Sequence, residues 1–178
     1  MMQSSLMNTP SLDTPVIETA RLRLRGVVPG DWPAYLAYRL SPRSTVTGTD
    51  EGLIWTQFAA FAGHWALKGF GRFIIEQRAT GLPLGHVGPY HPASHPEPEL
   101  TWTLWSAAHE GQGFAREAAA AARDFAFVFL RWQTAVSYID TANTRSRHLA
   151  DRLGARPDTA ATSPYRDNDV WRHQRGAA

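Results

Sequence analysis

Glu99-Leu100-Thr101-Trp102-Thr103-Leu104-Trp105 leads, after three residues, into His109-Glu110-Gly111-Gln112-Gly113-Phe114-Ala115, and an alanine-rich stretch follows to Arg131. The first run alternates, so Glu99, Thr101 and Thr103 share one face of a strand and Leu100, Trp102 and Leu104 the other. In the last run Phe114, Ala118, Ala121, Phe125 and Val128 recur three or four apart, the stripe of a helix whose small alanines let it lie close to a sheet. The turn between them carries small residues at 111, 113 and 115, which leave backbone N–H groups unshielded. Those groups begin a helix, where they have no internal acceptor and where the helix dipole adds partial positive charge. A strand, an open turn and a helix in this order predict an anion cradle.

Two familiar phosphate loops do not fit it. A dinucleotide loop needs Gly or Ala where Arg116 stands, and the Gly-Lys-Ser/Thr of a nucleoside triphosphate loop occurs nowhere.

Downstream, Gln133 to Asp140 reads as a strand parallel to the first if the helix is their crossover. Asn143-Thr144-Arg145-Ser146 opens another helix, with Leu149 and Leu153 four apart and Gly154 at its end. Short strands near Arg156 to Thr162 and Asp169 to His173 close the chain. Upstream, Phe70 to Gln77 and Leu84 to Tyr90 form a hairpin around Gly81. Pro89, Pro92, Pro96 and Pro98 then interrupt regular structure. His86, His91 and His95 fall in this span, and without helical register they read as solvated loop histidines rather than a metal set. Ile54, Phe58, Phe61 and Trp65 mark a buried helix stripe over Leu53 to Leu67. Thr19 to Gly26 alternates as a strand, and Gly30-Asp31-Trp32-Pro33 starts a helix to about Leu40.

The chain has 178 residues, 43% hydrophobic and 19% charged, which suits one folded domain over 16–178 behind a disordered leader at 1–15. It contains no cysteine, which excludes disulfides, thiolate metal sites and a cysteine nucleophile and is compatible with the cytoplasm. A formal charge of +2, without a basic block, gives no nucleic-acid footprint. The longest apolar stretch, Ala118 to Leu130, is broken by Arg123 and Asp124, so no membrane span is expected. A serine hydrolase is excluded by the lack of a Gly-x-Ser-x-Gly elbow.

Glu110-x-x-Gly113-x-Ala115 after a strand resembles the coenzyme A pyrophosphate loop of the GNAT superfamily of N-acetyltransferases, Gln/Arg-x-x-Gly-x-Gly/Ala. Gly111 to Ala115 followed by Glu117-Ala118 is similar to the branch containing the ribosomal-protein N-terminal acetyltransferases. Asn143, Ser146 and Leu153-Gly154 match a second family segment at the right separation. Glu110 in place of Gln or Arg, and Ala155 in place of Phe, depart from the pattern. The resemblance implies an α/β fold: a mixed, mostly antiparallel twisted sheet of six to seven strands, a parallel pair splayed at its centre, and about four helices. It implies acetyl-CoA as donor, held by Gln112, Gly113, Phe114, Ala115 and Arg116, with Leu104, Trp105 and Asn143 along its pantetheine arm. Glu99 is the expected general base, with Glu97 in reserve, and Ser146 the expected proton donor to the leaving thiolate. The acceptor is a small-molecule amine or a protein N-terminus, bound beside the first two helices, where some of Trp32, Trp55 and Trp65 line it. A monomer or homodimer fits. The other functional class that keeps the cradle is a non-catalytic acyl-CoA-binding or regulatory module.

Overall fold

The computed structural model describes residues 14–46 and 48–176, so the expected leader lies, but for its last two residues, outside the described residues. Strands β1 (Ile17–Glu18) and β2 (Leu22–Arg25) are followed by helices α1 (Trp32–Arg39) and α2 (Glu51–Lys68). Strands β3 (Phe73–Gln77), β4 (Pro83–Tyr90) and β5 (Glu99–Leu104) precede helix α3 (Phe114–Asp124). Strand β6 (Thr134–Asp140), helix α4 (Thr144–Arg152) and strands β7 (Arg156–Pro157) and β8 (Asn168–Gln174) follow among the described residues.

All eight strands join one sheet in the order β1-β2-β3-β4-β5-β6-β8-β7. The expected six to seven strands become eight among the described residues because β1 adds a two-residue edge piece, while the strand expected from Arg156 to Thr162 shortens to Arg156–Pro157. The first strand expected at Thr19 begins instead at Leu22: Thr19 bonds the Leu22 carbonyl through its N–H, 2.9 Å, and its hydroxyl, 3.2 Å, closing a tight turn. Asp50 caps α2 by accepting from the Leu53 N–H at 2.7 Å, and left-handed Gly69 ends it. The long helix expected to Arg131 keeps α geometry to Asp124, then widens into a π-turn over Phe125–Phe129.

Helix α3 packs its Phe114, Ala118, Ala119 and Ala122, with Phe125 of the π-turn, against Leu22, Leu24, Phe73 and Leu84 of the sheet. Three alanines in that contact allow the close approach. On the opposite face, Tyr35 of α1 and Ile54, Phe58 and Phe61 of α2 cover Ile74 and Trp105.

Neighbours from β1 to β5 are antiparallel, whereas β5 and β6 run parallel and share one registered pair, Glu99 with Val136. The Val136 N–H donates to the Pro98 carbonyl at 2.9 Å, and the Ser137 hydroxyl donates to the Leu100 carbonyl at 2.6 Å. No further pair is registered between these strands, so they part beyond Leu100. On its other edge β5 is drawn tightly onto β4, since a Cβ on Gly85 would lie 2.0 Å from the Thr103 carbonyl oxygen. That contact permits only glycine. Gly85→Ala is expected to lose about 2 kcal/mol or more of stability through backbone displacement. Denaturant unfolding measures it, and a variant as stable as wild type would contradict the close approach.

Candidate functional site

The parting of β5 and β6 opens a cleft of about 810 Å³ within the sheet, beside the last residues of β5. Trp102 and Leu104 of β5, Glu110, Gly111 and 113–116 of the turn, Arg43 of the α1–α2 loop, and Asn143 and Ser146 at the start of α4 line it, whereas Gln112 does not.

The turn is held open from behind. Gly111 and Gly113 have φ of 72° and 80°, left-handed values that glycine adopts without penalty. The first helical hydrogen bond of α3 runs from the Glu117 N–H to the Gly113 carbonyl at 3.0 Å, which leaves the N–H groups of Phe114, Ala115 and Arg116 without helical acceptors. The Gln112 side chain turns back to donate to the Ala108 carbonyl at 2.6 Å. Behind the turn, Arg21 donates to the Gln112 carbonyl at 2.8 Å and to Glu117 Oε2 at 2.7 Å. Glu117 also accepts from the Thr19 hydroxyl at 2.6 Å and the Arg21 N–H at 2.8 Å. Burial pushes the Glu117 carboxyl up, but these three donors outweigh it and hold the carboxyl below its ordinary range. A first-turn acid thus fastens α3 to the β1–β2 turn. In the sequence Arg21 is legible only as one polar member of an alternating strand.

At the cleft mouth Glu110 lies between two guanidinium groups, Arg43 at 2.6 Å and Arg145. Arg43 Nη2 also donates to the Leu104 carbonyl at 3.3 Å, so that carbonyl faces the cleft. The Trp105 N–H does not face it: it donates to the Leu84 carbonyl at 2.8 Å, and the indole is buried among the α1 and α2 aromatics. Nothing in Ser41-Pro42-Arg43 singles out Arg43, whose partner lies 67 residues away. Asn143 caps α4 by accepting from the Ser146 N–H at 3.1 Å. The Ser146 hydroxyl receives the Trp102 indole N–H at 3.3 Å and borders the cleft.

The odd-numbered face of β5 carries a second group of side chains. Glu99 is buried there, and His95 Nδ1 lies 3.2 Å from its Oε2. His95 is not a solvated loop residue as its proline-rich setting suggests; it is 6% exposed, with Nε2 at 3.0 Å from the Tyr165 hydroxyl. His86 is likewise buried and receives the Trp105 indole N–H at 3.0 Å. Burial, reinforced by Arg72, keeps His86 neutral well below its usual range. Burial pushes the Glu99 carboxyl up, and His95 and Arg72 only partly offset this. Glu97 differs in kind. Arg172 grips both its oxygens, at 2.8 and 2.9 Å, and lowers its pKa. Arg72 lies 4.3 Å from the ring centres of both Phe61 and Tyr90. Trp65 packs into the core against Phe73 and Phe125, whereas Trp32 and Trp55 meet edge to face at 5.0 Å on the α1/α2 side.

A Ser137–His173 contact at 3.0 Å is buried, and the serine proton is committed to the Leu100 carbonyl. It is a structural pair, not an activated nucleophile. Among the described residues no group of three His, Cys, Asp or Glu side chains is placed to hold a metal ion. No helix among them is long and apolar enough to cross a membrane.

The family model of the acetyltransferase (GNAT) domain matches residues 21–156. An acetyltransferase from Agrobacterium tumefaciens strain C58 is 38% identical, with a TM-score of 0.84 over 90% of this chain and 95% of that one. The ribosomal-protein-S5-alanine acetyltransferase from Vibrio fischeri superposes with a TM-score of 0.71 over 91% and 97% at 13% identity. A variant of a spermidine N-acetyltransferase from Vibrio cholerae does so with 0.65 over 86% and 92% at 19% identity. At these last two identities the likeness is one of fold.

Because its carboxyl is held below the ordinary value, Glu117 contributes stability that is present above the unfolded-state pKa, about 4.3, and lost as pH falls through the folded-state value. Glu117→Gln is therefore expected to be less stable than wild type at pH 7, with the gap narrowing below about pH 4. Urea unfolding across that range measures it, and a gap independent of pH would contradict the clamp.

Proposed function

Since the chain belongs to the GNAT acetyltransferase family, we propose that it moves an acetyl group from acetyl-CoA to a primary amine, directly and within a ternary complex. The observation that carries this reading is the set of N–H groups at Phe114, Ala115 and Arg116, left without helical acceptors at the edge of the cleft. The site fits a diphosphate: the amides are free, the turn that presents them depends on left-handed Gly113, where a Cβ would come within 3.3 Å of Arg21, and the dipole of α3 ends there. Acetyl-CoA, when bound, supplies an acetyl group activated as a thioester.

The chain's own residues then have separable tasks. The turn from Gln112 to Ala115 holds the diphosphate, with Arg116 beside it. The Leu104 backbone, whose carbonyl faces the cleft, aligns the pantetheine arm, and Asn143 borders that arm. Trp105 has no part in this through its N–H, which Leu84 already occupies. The Ser146 hydroxyl, held by Trp102, is placed to give a proton to the leaving thiolate. Glu99 supplies the basicity an amine acceptor requires, and its raised pKa brings it nearer neutrality, where a base is most effective. Glu97, neutralised by Arg172, lacks that capacity.

The fold does not select the acceptor, since the two distant neighbours named for an S5 alanine and for spermidine share it. A protein N-terminus or a small amine is bound on the α1/α2 side of β5, beside Trp32 and Trp55. The branch resembling ribosomal-protein acetyltransferases favours the former. Placement in the cytoplasm accords with that acceptor class.

Calorimetry with coenzyme A tests the cradle. Gly113→Trp is expected to bind at least about tenfold more weakly than wild type, a loss of about 1.4 kcal/mol. Equal affinity would remove the cradle from the account. Thiol release with a panel of amines tests transfer, and kcat/KM is expected to rise with pH through a midpoint above the ordinary carboxylate value. Glu99→Gln should abolish that limb. A variant with unchanged rate and profile would remove Glu99 as base, and binding without turnover of any amine would leave a coenzyme-binding module.

A further inference from the structure

Glu99 is only 7% exposed, and its Oε2 faces the His95 imidazole rather than open solvent. A carboxylate so enclosed needs a route to any amine that approaches the α1/α2 face. His95 provides one. Its buried Nδ1 lies 3.2 Å from Glu99 Oε2 without an aligned hydrogen bond and has no other partner among the described residues, while its Nε2 meets the Tyr165 hydroxyl at 3.0 Å. Tyr165 is 48% exposed. Three groups therefore lead in line from a buried carboxylate to the surface.

The imidazole is fixed in this line by perpendicular tyrosines. Tyr90 of β4, Tyr138 of β6 and Tyr165 stand at 87°, 88° and 89° to it, with ring centres 5.3, 5.4 and 5.7 Å away. Such edge-to-face packing on three sides allows little rotation. The other charges nearby are Arg72, which acts on Glu99 and Tyr165 at longer range, and Glu97, which is bound to Arg172. Neither is a hydrogen-bond partner of His95.

We propose that Tyr165, His95 and Glu99 form a proton relay in which the Tyr165 oxygen is the group that meets the acceptor amine. In the resting relay Nδ1–H points to the Glu99 carboxylate and Nε2 accepts from the Tyr165 hydroxyl. As the neutral amine nitrogen bonds to the acyl carbon and the C–S bond breaks, the amine N–H proton passes to the Tyr165 oxygen. The Tyr165 O–H proton passes at the same time to His95 Nε2. The imidazolium that results passes its Nδ1 proton to Glu99, the final base, and that proton returns through His95 and half-exposed Tyr165 before the next turnover. The leaving thiolate takes its proton separately. Tyr165 is thus the catalytic residue of the relay, and His95 and Glu99 act through it.

The relay rests on the amine acetyltransferase reading, but its resting geometry is measurable without donor or acceptor. Long-range 1H–15N spectra of the labelled protein report the His95 tautomer, with His95→Gln identifying its signals. The proton is expected on Nδ1. A proton on Nε2 would make His95 the donor to Tyr165 and overturn the relay even in a protein that acetylates amines. Tyr165→Phe, a surface change that keeps the ring, is expected to preserve the tautomer. With acetyl-CoA and either spermidine or an N-terminal alanine peptide as probe, it should lower kcat about 100-fold and leave KM within about twofold. An unchanged kcat overturns the proposal. If neither probe releases thiol, the amine-transfer reading fails with these acceptors, and the tautomer alone decides the relay's geometry.

Discussion

Strands β5 and β6 meet at one registered pair, Glu99 with Val136, and then separate, and the cleft exists because of that separation. A sheet paired along its whole length would bury the backbone edge of Leu104 and leave no room before α3. The contacts that end the pairing are local. The Pro98 and Leu100 carbonyls are taken by the Val136 N–H and the Ser137 hydroxyl, and beyond them Trp102 turns its indole to Ser146 of α4. On the other side β5 cannot follow β6, because Gly85 holds it tightly against β4.

The charges around this opening are arranged in pairs that leave the N–H groups of the turn free. Arg21 and Glu117 neutralise each other behind the turn, and Arg21 pulls the Gln112 carbonyl away from the cleft. Glu110 does the same for Arg43 and Arg145 at the mouth. Its position explains how a carboxylate is tolerated where relatives of the resembling family carry Gln or Arg: two guanidinium groups flank it. Arg172 occupies Glu97 while Glu99, two residues on, is buried beside His95, and the two carboxylates acquire opposite pKa shifts.

The strand, turn and helix from Glu99 onward were legible because each has a local cause: alternation, glycines at 111 and 113, and an alanine stripe. The stripe of α2 was legible for the same reason. Arg21 and Arg43 were not, since their roles come from partners 96 and 67 residues away that no local pattern announces. His95 misled for a related reason. Prolines on both sides mark a loop, and a loop histidine is usually solvated, but Tyr90, Tyr138 and Tyr165 converge on it from three separate segments. The backbone at Trp105 reads like that at Leu104 in the alternating pattern. Only the pairing with β4 shows that its N–H is spent.

The most direct test of the central claim, that free amides at the head of α3 grip a diphosphate, is the amide chemical-shift response of the 15N-labelled protein to coenzyme A. The largest shifts are predicted at residues 113 to 116, saturating together with those of Leu104. Binding that left these amides unmoved while shifting others would contradict it.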